Sequence, residues 1–184
     1  MLGKAVAQLI AAIVLYIVLT YIGMLKILDL NGVRDYFKAP FMPWAIPLAN
    51  TIPIYVFGYR LYYNTNLAIY IKRCACLCVL KGIVQLVTLV PAPGGIEPCR
   101  NRTFAGVIIL GSCADMMFSG HTCLVYLLAP RAERFLFVIP VAIFLVLAEM
   151  HYTSDVIMAV LIGSWIEYKL PIPKLPKLPN SLKK

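Results

Sequence analysis

AVAQLIAAIVLYIVLTYIGML, residues Ala5 to Leu25, contains no charged side chain. A run of this kind reaches the roughly 20 residues that cross the hydrocarbon core of a bilayer as one helix. It is long enough to stay as a first span instead of being removed as a signal peptide. Four further apolar stretches follow, at Trp44 to Tyr59, Cys74 to Val90, Phe135 to Ala148 and Val156 to Tyr168. A fifth, Ser119 to Ala129, becomes comparable in length if its helix begins near Asp115. Hydrophobic residues make up 61% of the chain, charged residues 14%, and mean hydropathy is +0.84. That balance excludes an ordinary soluble domain, which carries roughly 25% charge. The expectation is an all-α, polytopic membrane protein: one six-helix bundle over residues 1–168 and a Pro/Lys-rich tail over 169–184. Neither an internal repeat nor a second domain is visible.

Lys and Arg fix the expected orientation. With six spans, Lys4, Arg60, Lys72, Arg73, Arg131, Arg134, Lys169, Lys174, Lys177, Lys183 and Lys184 fall on one side. Lys26, Arg34, Lys38, Arg100 and Arg102 fall on the other, and Lys81 stays inside a helix. The positive-inside rule then makes both termini cytosolic. The two histidines of the chain, His121 and His151, open together on the lumenal or exoplasmic face, whereas five spans would separate them. The net charge of +9 follows from this asymmetry and from attraction to anionic leaflets; nucleic acid is not an expected partner. Pro171, Pro173, Pro176 and Pro179 forbid a helix in the tail, which reads as an extended segment.

Cys74, Cys76 and Cys78 lie at the cytosolic end of the third span and read as small reduced hydrophobes, their spacing wrong for zinc. Cys99 and Cys113 share a lumenal loop in which they can pair, and Asn101-Arg102-Thr103 forms a glycosylation acceptor there. Pro91-Ala92-Pro93-Gly94-Gly95 ends the third span, and Thr103 to Leu110 reads as a short re-entrant helix.

Each histidine sits in a compact polar cluster between apolar runs: Asp115-Met116-Met117-Phe118-Ser119-Gly120-His121-Thr122, and Glu149-Met150-His151-Tyr152-Thr153-Ser154-Asp155. Polar groups at the edge of hydrocarbon are costly and mark function. Imidazole titrates near neutrality, so it serves as nucleophile or as proton donor. His151 and Asp155 are four residues apart, which in a helical turn lets the carboxylate hold one ring nitrogen and leaves the other for attack. Ser119-Gly120-His121 at a helix start offers backbone N–H groups to a phosphate, with His121 as general acid and base. Asp115 and Glu149 are further candidates for tuning a histidine or steering a substrate hydroxyl, and Tyr152 for contacting a head group. The pattern points to phosphoryl transfer at a membrane with no metal and no cofactor.

The strings Cys113 to Thr122 and His151-Tyr152-Thr153-Ser154-Asp155-Val156 resemble the two signature segments of the sphingomyelin synthase family. That family is the ceramide-phosphotransferase branch of the type-2 phosphatidic acid phosphatase superfamily. Lys81, ten residues before Pro91-Ala92-Pro93-Gly94, is similar to the family's Arg ahead of a Leu-Pro-x-Pro-Gly turn. The resemblance covers about residues 70 to 168. It implies six membrane helices, cytosolic termini and a lumenal or exoplasmic site. It further implies that His151 attacks the phosphodiester of a glycerophospholipid, that diacylglycerol leaves, and that ceramide accepts the head group. Asp155 orients His151, His121 relays protons, and Lys81 holds phosphate. Ala114 stands where the family has Gly, and Glu149-Met150 where it has a His-Asp pair. Leu145 stands where the wider superfamily has Arg, which favours a lipid-to-lipid transferase over the alternative, a lipid phosphatase or phospholipase C-like hydrolase using water. A non-enzymatic bundle is the third reading. Oligomeric state and head-group choice stay open.

Overall fold

The computed structural model describes residues 2–27, 40–63, 66–88 and 117–172, and every regular element among them is an α-helix. In chain order these are α1 (Leu2–Ile27), α2 (Ala45–Tyr63), α3 (Leu67–Val87), α4 (Gly120–Leu128), α5 (Arg134–Leu147) and α6 (Thr153–Lys169). The expected re-entrant helix at 103–110, the Pro91 to Gly95 turn, the Cys99/Cys113 pair, the Asn101 sequon and the tail from 173 onward lie outside the described residues.

Two boundaries differ from expectation, each for a local reason. α3 starts at Leu67, well before Cys74, with Lys72 and Arg73 inside the helix. Their charges do not end it because Arg73, fully buried, donates from Nε and Nη2 to the Leu170 carbonyl at 2.9 and 2.7 Å and faces Glu167 at 3.7 Å. α4 starts at Gly120, in keeping with Ser119-Gly120-His121 as a helix start, and not near Asp115, where a span-length helix would need to begin. Ser119 is in extended conformation (φ −72°, ψ 114°), and its hydroxyl accepts the Thr122 N–H at 3.2 Å. A side-chain N-cap of this kind satisfies a donor that the helix cannot and fixes where it begins.

α4 is the hub, packing against α2, α3, α5 and α6. Its position follows from its composition: Cys123, Val125, Leu127 and Leu128 are all but inaccessible and fill the core. Close approach of α6 to α4 depends on Gly163, where a Cβ would lie 2.7 Å from Tyr126 Cδ1. α1 lies along α3, with Gly82 meeting the Tyr16 and Leu19 turn and a buried Thr20 hydroxyl donating to the Gln85 side-chain oxygen.

The helices alternate in direction. Gln85 meets Thr20 toward the C-terminal ends of α3 and α1. Arg60, near the end of α2, donates to Leu128 at the end of α4. Met42, just ahead of α2, donates to Leu147 at the end of α5 at 2.8 Å. Ser119, at the start of α4, donates to Asp155 at the start of α6. The start of α1 and the end of α6 therefore share one end of the bundle, and both histidines lie at the other.

The outward faces of these helices are apolar. Ile10 and Val14 on α1, Ile54 on α2, Ile139 and Ile143 on α5, and Ile157 and Leu161 on α6 are each more than half exposed. Within α1, Leu2–Ile22 is long and apolar enough to cross a membrane, with mean hydropathy 2.4, and Arg134–Leu147 is a shorter apolar helix.

Candidate active site

The segment from Ala148 to Asp155 is built on the termination of α5. Met150 N–H donates to the Leu145 carbonyl and Glu149 N–H to that of Val146, both at 3.0 Å, while Glu149 takes φ 50°. Those two bonds around one left-handed residue are the Schellman closure of a helix end, a position that glycine normally fills. The closure turns the chain sharply, and His151 N–H also reaches the Leu145 carbonyl at 3.3 Å. Glu149, expected as a substrate or tuning carboxylate, thus holds a backbone position that aims His151.

Asp155 organises the next turn. Its Oδ2 accepts the Tyr152 N–H at 2.9 Å, its own N–H donates to the Tyr152 carbonyl at 3.1 Å, and the Ser154 hydroxyl lies 3.4 Å from Oδ1. The reciprocal pair makes Tyr152 the N-cap of α6, and the carboxylate favours the positive end of the helix dipole. The same Oδ2 stands 3.4 Å from His151 Nδ1, the two side chains being 5% and 6% exposed. A carboxylate on Nδ1 sets the imidazole tautomer, makes Nε2 the nucleophilic nitrogen and stabilises positive charge that develops on the ring. Tyr152 is buried beside them.

The second histidine segment is fastened to the first by a backbone bond from Ser119 N–H to the Asp155 carbonyl, 3.1 Å long. Ser119 and Gly120 open α4, and His121 is its second residue. His121 is half-buried and stands within electrostatic reach of both His151 and Lys81. Lys81 comes across from α3: its ammonium donates to the Phe118 carbonyl and lies 4.8 Å from the Phe118 ring centroid. Its methylenes run over Gly120, where a Cβ would sit 3.2 Å from Lys81 Cε. Gly120 is thus what lets a long cation reach the start of α4.

His121, His151, Asp155, Lys81, Ser119, Gly120, Glu149 and Tyr152 therefore converge at one end of the bundle, while Asp115 lies outside the described residues. Among the described residues no group of three or more His, Cys, Asp or Glu comes together as a metal site would require. Thr122 was not singled out from sequence. Its hydroxyl is fully buried next to His121 and has no hydrogen-bond partner among the described residues. The only sequence signal for it is its place immediately after Ser119-Gly120-His121.

The site combines a carboxylate-held imidazole, a second imidazole, an ammonium and the N–H groups of a capped helix start. Such a set can bind a phosphate ester, attack phosphorus and move a proton. Comparison with models of known protein families gives no match, and comparison with curated proteins gives none either.

Proposed function

We propose that this chain is a multi-pass membrane phosphotransferase. It moves a phospho-head group from a glycerophospholipid to ceramide through a phosphohistidine, with both termini cytosolic and the site on the lumenal or exoplasmic face. The observation that carries the proposal is the joining of the two histidine segments through Ser119 and Asp155, with His151 paired to Asp155. The apolar outward faces of α1, α2, α5 and α6 support a bilayer as surroundings, because water-exposed surfaces do not carry so many large aliphatic side chains. The alternating helices, with the described arginines Arg60, Arg73, Arg131 and Arg134 gathered at the end opposite the histidines, support a reading with six spans and cytosolic termini.

In this reading the Nε2 lone pair of His151 attacks phosphorus, and the bond from phosphorus to the diacylglycerol oxygen breaks. Protonated His121 gives its proton to that oxygen. The imidazole of His151 keeps its Nδ1 proton, and Asp155 compensates the positive charge. Neutral His121 then takes the proton of ceramide's primary hydroxyl, whose oxygen displaces His151 from phosphorus. Lys81 and the N–H groups at the start of α4 hold the non-bridging oxygens, where charge is greatest in the transition state.

The test supplies solubilised protein with labelled ceramide and a panel of phospholipids. One phosphosphingolipid and an equimolar amount of diacylglycerol are expected, with no product from His151→Ala. Head-group release independent of ceramide would assign a hydrolase, and native turnover by His151→Ala would end the covalent mechanism.

A further inference from the structure

At the end of the bundle opposite the histidines, Arg73 from α3 and Arg131 and Arg134 from the turn into α5 meet around one acid, with Arg60 of α2 nearby. Arg131 Nη2 and Arg134 Nη1 lie 2.8 and 2.7 Å from the two carboxylate oxygens of Glu167, and Arg73 Nη1 is 3.7 Å from the first of them. Arg60 and Arg73 both lie against the Tyr70 ring, at 4.9 and 5.5 Å from its centroid, and Arg134 lies over Tyr126 at 4.2 Å. Glu133, exposed at the start of α5, is the one other described acid at this end.

This cluster is under-neutralised. A guanidinium carries five N–H donors and a carboxylate about four lone-pair directions, so Glu167 and the Leu170 carbonyl cannot serve three converging guanidiniums. Two buried atoms record the deficit: Arg73 Nη1, on a side chain with no exposure, and Arg134 Nε, on one with 9%, have no hydrogen-bond partner among the described residues. Buried donors of this type cost free energy until something accepts from them, and buried like charges repel. The Arg131 side chain is 68% exposed, so an anion can meet the cluster first at this guanidinium. Planar guanidinium forks suit a tetrahedral oxyanion carrying two charges.

We infer that the cluster of Arg73, Arg131 and Arg134 around Glu167, flanked by Arg60, is a second anion site, which takes a phosphate-monoester or pyrophosphate group at the end of the bundle away from the histidines. The group is either the head of an anionic lipid such as a phosphatidic acid or a soluble polyphosphate. It accepts from the unpaired guanidinium N–H groups and shares Arg131 with Glu167. The site does not depend on the chemistry assigned to His121 and His151.

The experiment measures the thermal midpoint and the binding affinity of the full chain in phosphatidylcholine nanodiscs. Phosphatidic acid is added to the discs in one arm and inorganic pyrophosphate to the buffer in the other. A saturable rise in midpoint is expected in at least one arm, present in His151→Ala as in wild type and weakened about tenfold in affinity by Arg131→Gln, as for loss of one charge-assisted contact. Because Arg131 is exposed, that variant keeps the fold, and Arg131→Lys should recover part of the affinity. A response to phosphatidic acid alone assigns the lipid, and a response to pyrophosphate assigns the soluble anion. No response in either arm overturns the inference. A response that His151→Ala abolishes and Arg131→Gln leaves intact also overturns it, since the anion would then sit at the histidines.

Discussion

The backbone N–H of Ser119 and the carbonyl of Asp155, 3.1 Å apart, join the start of α4 to the start of α6. One atom pair thereby sets the spacing of two histidines that lie thirty positions apart in the chain. Because the contact uses main-chain atoms only, it survives substitution of either side chain. Variants at this site therefore report on chemistry more than on assembly.

Asp155→Asn should leave the fold nearly intact, since an amide oxygen still accepts the Tyr152 N–H, while turnover drops about a hundredfold or more through loss of the charge on His151. Asp155→Ala adds the loss of a helix cap, about 1 kcal/mol. Thermal unfolding and product formation from labelled ceramide, measured on both variants, separate the two effects. Native turnover by Asp155→Asn would remove the carboxylate from the mechanism.

Glu149 is at φ 50°, where a side chain costs roughly 1 kcal/mol relative to glycine. Glu149→Gly should therefore be as stable as wild type or up to about 1 kcal/mol more so, and Glu149→Val less stable by about 1–2 kcal/mol. Denaturant unfolding checks the order. Reduced activity in a stabilised Glu149→Gly would mean that the carboxylate has a substrate role besides its backbone one.

Gly120→Ala should displace the Lys81 side chain, whose Cε would lie 3.2 Å from the new Cβ. An increase in KM with a stability loss of about 1 kcal/mol is expected. Lys81→Arg offers a bidentate fork at the same place and should retain activity better than Lys81→Met, which strips the Phe118 carbonyl of its donor. Steady-state kinetics on the three proteins decides; equal KM values would remove Lys81 from substrate binding.

Thr122→Val replaces a buried hydroxyl without a partner among the described residues with an isostere, and should raise stability by about 1 kcal/mol. Turnover is expected to fall, the pattern of a polar group kept at a cost in stability because it contacts substrate. A more stable variant with unchanged turnover would assign Thr122 to packing alone.

Gly163→Ala brings a methyl within 2.7 Å of Tyr126 Cδ1 and should cost about 1–3 kcal/mol by forcing α6 away from α4. Thermal shift measures it, and Tyr126→Leu in the same background should recover part of the loss.

The sequence exposes some of this architecture and conceals the rest for physical reasons. Hydropathy alone marks α1 and α5, because their apolar runs are unbroken. It misplaces the start of α3, since Lys72 and Arg73 look like the edge of a span until Glu167 and the Leu170 carbonyl are seen to receive Arg73 across the bundle. For α4, span length would require a start near Asp115, whereas the Ser119-Gly120-His121 string marks the helix start that the serine cap sets. Residue types and spacing are enough to single out His121, His151 and Asp155, which the structure brings to one end of the bundle. Glu149 is not, because glutamate gives no local sign of a left-handed turn. Arg131 and Arg134 appear in the chain only as markers of sidedness, and their convergence on Glu167 is a tertiary fact with no sequence period behind it.

The brevity of α4 has a consequence of its own. Nine residues rise about 14 Å at 1.5 Å per residue, less than half of a hydrocarbon layer of roughly 30 Å. If the bundle spans a bilayer as proposed and Leu128 is level with one interface, the capped start of this helix is sunk well beneath the opposite one. A lipid could then slide laterally between helices and present its phosphorus at depth, its tails never leaving the oily phase. Exchange of one two-tailed molecule for another would be a matter of in-plane diffusion, and the cost of lifting an acyl chain into water would never arise.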